Sequence, residues 1–344
     1  MTTTPSCPYS DCASHDHVRG AVISFGTYST RHAGRRSRWR CGVCERTFGE
    51  ATGTALARLR TPKAMFVHAL ELVSEGLPQA AIARVVGRAP STIARWIAKG
   101  ASHARSFNSA RTRPLEAGEV QMDELRVKGV AQARDSWAYS AIEVFTRLWI
   151  GLKVNRRTLR STREFVRQVA NALQDAEGTP IFTTDKMKYY EPAIRRVYRN
   201  RPVFYQQVDT VYRAKGILRS TPTLVLGNRH RLAEALEHKE PGKVNTSYIE
   251  RLNLVQRSCC ALLRRRTPHR ARLMSSVEDA LELVRVTYNF IRCHASLRTS
   301  SGKQTPAMVA GLAVRPLTLL EVLQWRPPSA WWRKKRLEKA FSAC

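Results

Sequence analysis

The apolar positions change their period along the chain, and each change predicts a different kind of element. Between Thr61 and Ala104 they recur at helical spacing. Pro62 suits a helix start, and Phe66, Val67, Leu70 and Val73 carry one helix to Gly76. Leu77–Val86, with small Ala80, Ala81 and Ala83, predicts a second, short helix closed by Gly87. A third is expected to start from a Ser91 or Thr92 cap and to turn Ile93, Trp96 and Ile97 inward. Helix, tight turn and capped helix form a helix-turn-helix layout. From Val120 the pattern becomes strand-like over Val120–Leu125, Ser136–Val144 and Leu148–Val154, where Trp137, Tyr139, Phe145, Trp149 and Ile150 stand. A helix over Leu159–Leu173, a strand over Ile181–Thr184 and a helix over Tyr189–Tyr198 follow.

Three strands, helix, strand, helix is the order of a ribonuclease-H-like mixed sheet. The fold class expected is therefore α/β (α+β): a mixed-sheet catalytic domain behind two small modules. Val203–Gln207 reads as a further strand and Arg229–His238 as a helix, inside an insertion of about 200–243. Ile249, Leu252, Leu254 and Val255 then mark a helix for which Asn245, Thr246 and Ser247 offer capping oxygens. Val277–His294 predicts a long amphipathic helix with Leu281, Val284, Tyr288 and Ile291 on one face. Near its end Asn289, Arg292 and His294 either approach phosphates or serve the fold. Arg105–Gly118 lacks periodicity and is taken as a linker. The expected divisions are 1–58, 59–104, the linker 105–118, 119–312, and a basic tail 313–344 that contains Trp331–Arg336.

Charge narrows the function. Lys and Arg number 58 against 27 Asp and Glu, a formal +31, while 43% of residues are apolar. The apolar share excludes a disordered chain, and the charge excess calls for a polyanion, with double-stranded DNA as the leading partner. No apolar run is long enough for a membrane span and no signal peptide opens the chain, so a cytoplasmic, nucleoid-associated protein is expected. Candidate DNA contacts are Arg35, Arg36 and Arg38 beside Trp39, and Ser91, Thr92, Arg95 and Lys99 on the third helix, with Arg88 nearby. Arg251 and the run Arg264, Arg265 and Arg266 add to them, as do Arg213, Lys215, Arg219, Arg229 and Arg231 in the insertion.

Four of the eight cysteines have metal-ligand spacing: Cys7-x4-Cys12 and Cys41-x2-Cys44. Each pair can span one edge of a tetrahedron, in a segment too short to fold on an apolar core alone, so one structural zinc in a ribbon is expected. His15 and His17 are alternative ligands, because the first spacing is wide. A second metal set comes from Asp123 on a strand, Asp185 at a strand end and Glu250 in the first turn of a helix. Carboxylates so distributed can hold two divalent cations, which clamp the attacking and leaving oxygens of a phosphodiester.

These features converge on a resemblance. Arg40-Cys41-Gly42-Val43-Cys44-Glu45-Arg46-Thr47-Phe48, Asp123-Glu124-Leu125, Thr184-Asp185 and the decapeptide Val244–Asn253 resemble a DDE transposase of the insertion sequence one type. Tyr288-Asn289-Phe290, His294-x2-Leu297 and Thr305-Pro306-Ala307-Met308 extend the likeness over roughly residues 5 to 325. The resemblance implies Asp123, Asp185 and Glu250 as the catalytic triad, with two magnesium or manganese ions. It also implies recognition of terminal inverted repeats by the N-terminal modules, and a homo-oligomer on DNA. Arg126, Lys186 and the Arg-rich Leu262–Arg272 stretch depart from the family pattern. The competing expectation is a DNA-binding regulator derived from an inactive transposase; the three retained carboxylates favour the enzyme.

Overall fold

The computed structural model describes residues 6–9, 11–15, 21–32, 34–213, 216–237, 246–300 and 302–327. At the N-terminus β1 (Val22–Thr30), β2 (Gly34–Cys41) and β3 (Thr47–Gly49) form an antiparallel sheet. Among the described residues its small apolar core is Cys7, Cys12, Val22, Cys41 and Phe48. Most of β1 faces solvent.

Helices α1 (Lys63–Ser74), α2 (Gln79–Val86) and α3 (Pro90–Arg111) follow. Phe66, Val67, Leu70, Val73, Ile82, Ile93 and Trp96 are buried between them, as their spacing predicts. Gly76 and Gly87 both take positive φ, which lets the chain turn sharply after α1 and α2. Two expectations are corrected here. Neither Ser91 nor Thr92 caps α3: the cap position is Ala89, and Pro90, whose fixed φ suits a first turn, starts the helix. Nor is 105–118 a linker throughout, because α3 runs on to Arg111. Phe107 holds those last turns, packed edge-on against Phe290 at 4.9 Å and Trp325 at 5.3 Å between ring centres.

The main sheet comprises β4 (Glu119–Arg126), β5 (Ser136–Glu143), β6 (Trp149–Arg156), β7 (Ile181–Thr184), β8 (Phe204–Arg213) and β9 (Gly216–Leu226), in the order β6-β5-β4-β7-β8-β9. The first three are joined antiparallel, β7 and β8 run parallel to β4, and β9 returns antiparallel to β8. Much of the expected insertion is thus sheet. Side chains alternate across each strand. Val120 and Met122 face α4 (Leu159–Ala172) and α5 (Tyr190–Val197). Leu125, Ala138 and Leu152 face α7 (Ser247–Cys259) and α8 (Met274–Val286). Between these lies α6 (Arg229–Glu237), whose Leu232 packs on Ile181 and Phe204.

The long helix expected to His294 ends earlier, passing from α8 into a π-helical turn at Thr287–Ile291. The widened turn sets Asn289 against edge strand β6. Its amide accepts the Trp149 N–H at 2.9 Å and donates to the Trp149 carbonyl at 3.1 Å, while Arg285 donates to the carbonyls of Trp149 and Ile150. Backbone groups that an edge strand leaves unpaired are satisfied by these side chains. Arg292 pairs with Glu75, and the His294 ring meets the Tyr288 carbonyl. All three residues serve the fold.

The chain closes with β10 (His294–Thr299), β11 (Gly302–Gln304), α9 (Pro306–Val309) and α10 (Leu319–Gln324). Thr318 and Glu321 form a capping box, and Leu319, Val322 and Leu323 are buried against α1 and α3. The α10 stretch therefore packs into the core although it falls in the expected tail, while Val314, Arg315 and Pro316 are exposed; Trp331–Arg336 lie outside the described residues. No helix among the described residues is long and apolar enough to cross a membrane.

Candidate functional site

Two groups of metal-ligating side chains come together. In the first, the sulfurs of Cys7 and Cys44 lie 3.8 Å apart and those of Cys12 and Cys41 3.7 Å apart, and all four fit within 4.8 Å of one another. A zinc–sulfur length of about 2.3 Å in a tetrahedron requires sulfur pairs about 3.8 Å apart, so the set fits a structural metal such as zinc. Burial alone would raise the Cys41 thiol, but the Ser14 hydroxyl and the backbone N–H groups of Cys44 and Val43 favour the thiolate and bring it down to about 6. His15 is not in the set: its ring nitrogens meet the carbonyls of Cys7 and Pro327. His17 lies outside the described residues.

The second group sits where β4, β6 and β7 end. Glu119, Val120 and Gln121 pair in parallel register with Ile181, Phe182 and Thr183, and continuing that register brings Asp123 beside Asp185. Carboxylate oxygens of Asp123, Glu124 and Asp185 lie within 4.8 Å of one another. Burial pushes the Asp123 carboxyl up to about 6, and the charges of Asp185 and Glu250 push the same way; Asn253 and a backbone N–H oppose them. Glu124 rises to about 7, by burial first and then by repulsion from Asp123 and Asp185. Negative charge held against its preference is the electrostatic condition a divalent cation relieves, so these residues fit one.

Glu250 stands at the same end but outside that close group. It is exposed, in the first turn of α7, and its carboxylate accepts the Thr246 hydroxyl at 2.9 Å. What fixes α7 is Gln121, whose side-chain oxygen accepts the backbone N–H groups of Tyr248 at 3.1 Å and Ile249 at 3.0 Å. A residue on β4 thus does the capping expected from the Asn245–Ser247 stretch, of which Asn245 is outside the described residues. One turn beyond Glu250, the Asn253 amide donates to Asp123 at 2.6 Å. Arg257 continues that helix face (250, 253 and 257 are three and four apart) and is half-buried. Burial and the neighbouring Arg265 push its pKa down, while Asp123 opposes them. The spacing from Glu250 would have revealed Asn253 and Arg257; no local pattern points to Gln121.

Glu124 is tied on both oxygens, to Arg157 at 2.5 Å and to the Tyr190 hydroxyl at 3.0 Å. Lys186, which departs from the family pattern beside Asp185, turns away from the carboxylates and pairs with Asp209 at 2.6 Å. The Asp185 carboxylate also accepts the Met187 N–H at 2.9 Å.

The expected DNA contacts divide. Arg88, Ser91 and Arg95 are exposed along the start of α3, with Thr92 half-buried beside them. Lys99 instead donates to the Ala57 carbonyl, and burial lowers its pKa, so it is a structural contact. Arg264 reaches the Gly76 carbonyl at 3.0 Å and the Ser258 carbonyl at 3.3 Å, pinning the α1–α2 turn to the end of α7. Arg251, Arg265 and Arg266 are exposed. On the ribbon Arg36 pairs with Glu50, Arg35 donates to Thr27 and Arg38 to Thr47. Arg229 and Arg231 are exposed, and Lys215 lies outside the described residues, as do the side chains of Arg213 and Arg219. No protein-family model matches the chain, and neither does any curated protein.

Proposed function

We propose that this chain is a DDE-type transposase that binds the terminal inverted repeats of an insertion sequence and catalyses metal-dependent DNA strand cleavage and strand transfer. The sheet order supports a ribonuclease-H-like reading: three antiparallel strands, then two parallel ones, with helices on both faces. The observation that carries the proposal is the meeting of Asp123 and Asp185 on neighbouring parallel strands, with α7 docked by Gln121 and Asn253 at the same end.

Asp123, Asp185 and Glu250 would hold two magnesium or manganese ions, with Glu124 behind them. Such ions supply Lewis-acid polarisation of a phosphodiester and an acidified water. Asn253 fixes the Asp123 carboxylate in one orientation, and Gln121 sets how far along β4 the first turn of α7 lies. Arg257, on the Glu250 face of α7, offers positive charge to a DNA phosphate. Four cysteines with a zinc ion would staple the ribbon, and the exposed edge of α3 would read duplex DNA in a homo-oligomeric assembly.

The test is cleavage of a duplex carrying the element's own terminal repeat, in magnesium, by wild type and by Asp185→Ala. The variant should lose orders of magnitude in rate and keep its DNA affinity. Undiminished cleavage would falsify the assignment; binding without cleavage by the wild type would favour the regulator.

A further inference from the structure

Arg157 follows β6 at the acidic end of the sheet, and how it is held separates two roles. An arginine that only neutralises a buried carboxylate is best served by a two-pronged pairing with both its oxygens. Here the pairing is single. Glu124, 1% exposed at the side chain, gives one oxygen to Arg157 at 2.5 Å, and its other oxygen is taken by Tyr190. The guanidinium lies over the Trp137 ring, 4.6 Å from its centre, and the side chain remains 37% exposed. One prong thus anchors the group and the ring fixes its plane, while among the described residues nothing else takes its other donors, which leaves them for a second oxyanion. One Glu124 oxygen belongs to the group within 4.8 Å that includes Asp123 and Asp185, so an oxyanion held by Arg157 on the same carboxylate would lie close to the aspartates.

We propose that Arg157 is a substrate-positioning residue: it binds a backbone phosphate of the DNA strand laid across Asp123 and Asp185, with Glu124, Tyr190 and Trp137 as its mount. This rests on the strand-cleavage reading for its purpose, though not for its test. The substrate class is a nucleic-acid phosphodiester, recognised by a rigid cation rather than by base identity.

The test is equilibrium binding of a labelled mixed-sequence duplex across a salt series in calcium buffer. Wild type is compared with Arg157→Ala, and Glu124→Gln with the double variant Glu124→Gln/Arg157→Ala. The second pair carries no ionised Glu124 to be stranded by the loss of its partner. In each pair, loss of Arg157 should lower affinity several-fold and flatten the slope of log K against log salt by about 0.9, the value of one phosphate contact. Arg157→Lys should restore the slope, since the charge returns. Unchanged slopes in both pairs would overturn the proposal and leave Arg157 as a partner of Glu124 alone. A flattened slope in a protein that never cleaves DNA would keep the contact and remove the strand-cleavage reading.

Discussion

Replacing Asp123 by Asn should stabilise the cation-free protein while abolishing any strand cleavage. The carboxyl is raised from its ordinary 3.8 to about 6 by burial and by the charges of Asp185 and Glu250. Two pH units correspond to about 3 kcal/mol, which we reduce to about 2 because the residue keeps some contact with water. The sign follows from linkage. A carboxyl whose folded pKa is raised favours folding at pH values below its unfolded pKa, and that advantage is lost as the pH climbs through about 6. Near pH 7.5 the ionised group therefore works against folding, and an amide of the same shape does not. The Asn253 donor still finds an oxygen there. For a domain of about 200 residues, 2 kcal/mol is roughly 4–8 °C in Tm. Thermal melts in chelator at about pH 7.5 should show that rise, and melts near pH 4 should not. Adding magnesium should then raise wild type by about 2.7 kcal/mol at a hundred times Kd, with little effect on Asp123→Asn. An unchanged or lower Tm for Asp123→Asn in chelator would refute the argument, since it would mean that the carboxylates are not held against their mutual repulsion.

Other consequences are as direct. Elemental analysis should find one zinc per chain, lost with Cys41→Ser; retention of the N-terminal sheet without metal, followed by circular dichroism, would contradict a core as small as Val22 and Phe48. Gly76→Ala should destabilise by well over 1 kcal/mol in denaturant melts, because φ is +83° and the new methyl would stand 2.6 Å from the Ser258 carbonyl oxygen. Gly87→Ala, at φ +66° with nothing within 4 Å, should cost only about 1 kcal/mol. Gln121→Leu strands the N–H groups of Tyr248 and Ile249 and should cost about 1–3 kcal/mol in denaturant melts.

Much of the mixed sheet is legible in the chain because its signals are local. The strand at Ile181–Thr184 has the expected bounds, and α4 differs by one residue from the expected Leu159–Leu173. The cysteine set is legible for the same reason: metal-ligand spacing is a short-range pattern. What escaped depends on partners far away in sequence. Phe107 looks like loop until Phe290 and Trp325 come to lie against it. Arg264 looks like a DNA contact until the Gly76 carbonyl, 188 residues away, claims it. Gln121 is an ordinary strand residue until the open end of α7 arrives 127 residues later. Of the three carboxylates, the two aspartates are set side by side by strand register, whereas Glu250 depends on how a separate helix docks. Glu124 entered only as a neighbour of Asp123, since adjacent strand residues point to opposite faces and only the strand end brings both carboxylates to one place.

The length of α3 has a practical consequence. Its second turn carries Arg95, and 10 to 13 residues further on, about 15–20 Å at 1.5 Å per residue, the helix is clamped to α8. The clamp is Arg105 on Asp279 at 2.8 Å and Asn108 on Glu282 at 2.7 Å. One stiff shaft therefore joins the exposed start of α3 to the slab that carries the acidic residues. Cutting the gene at residue 104 would not release two working halves; it would sever that shaft and bare the aromatic faces of Phe290 and Trp325 to water.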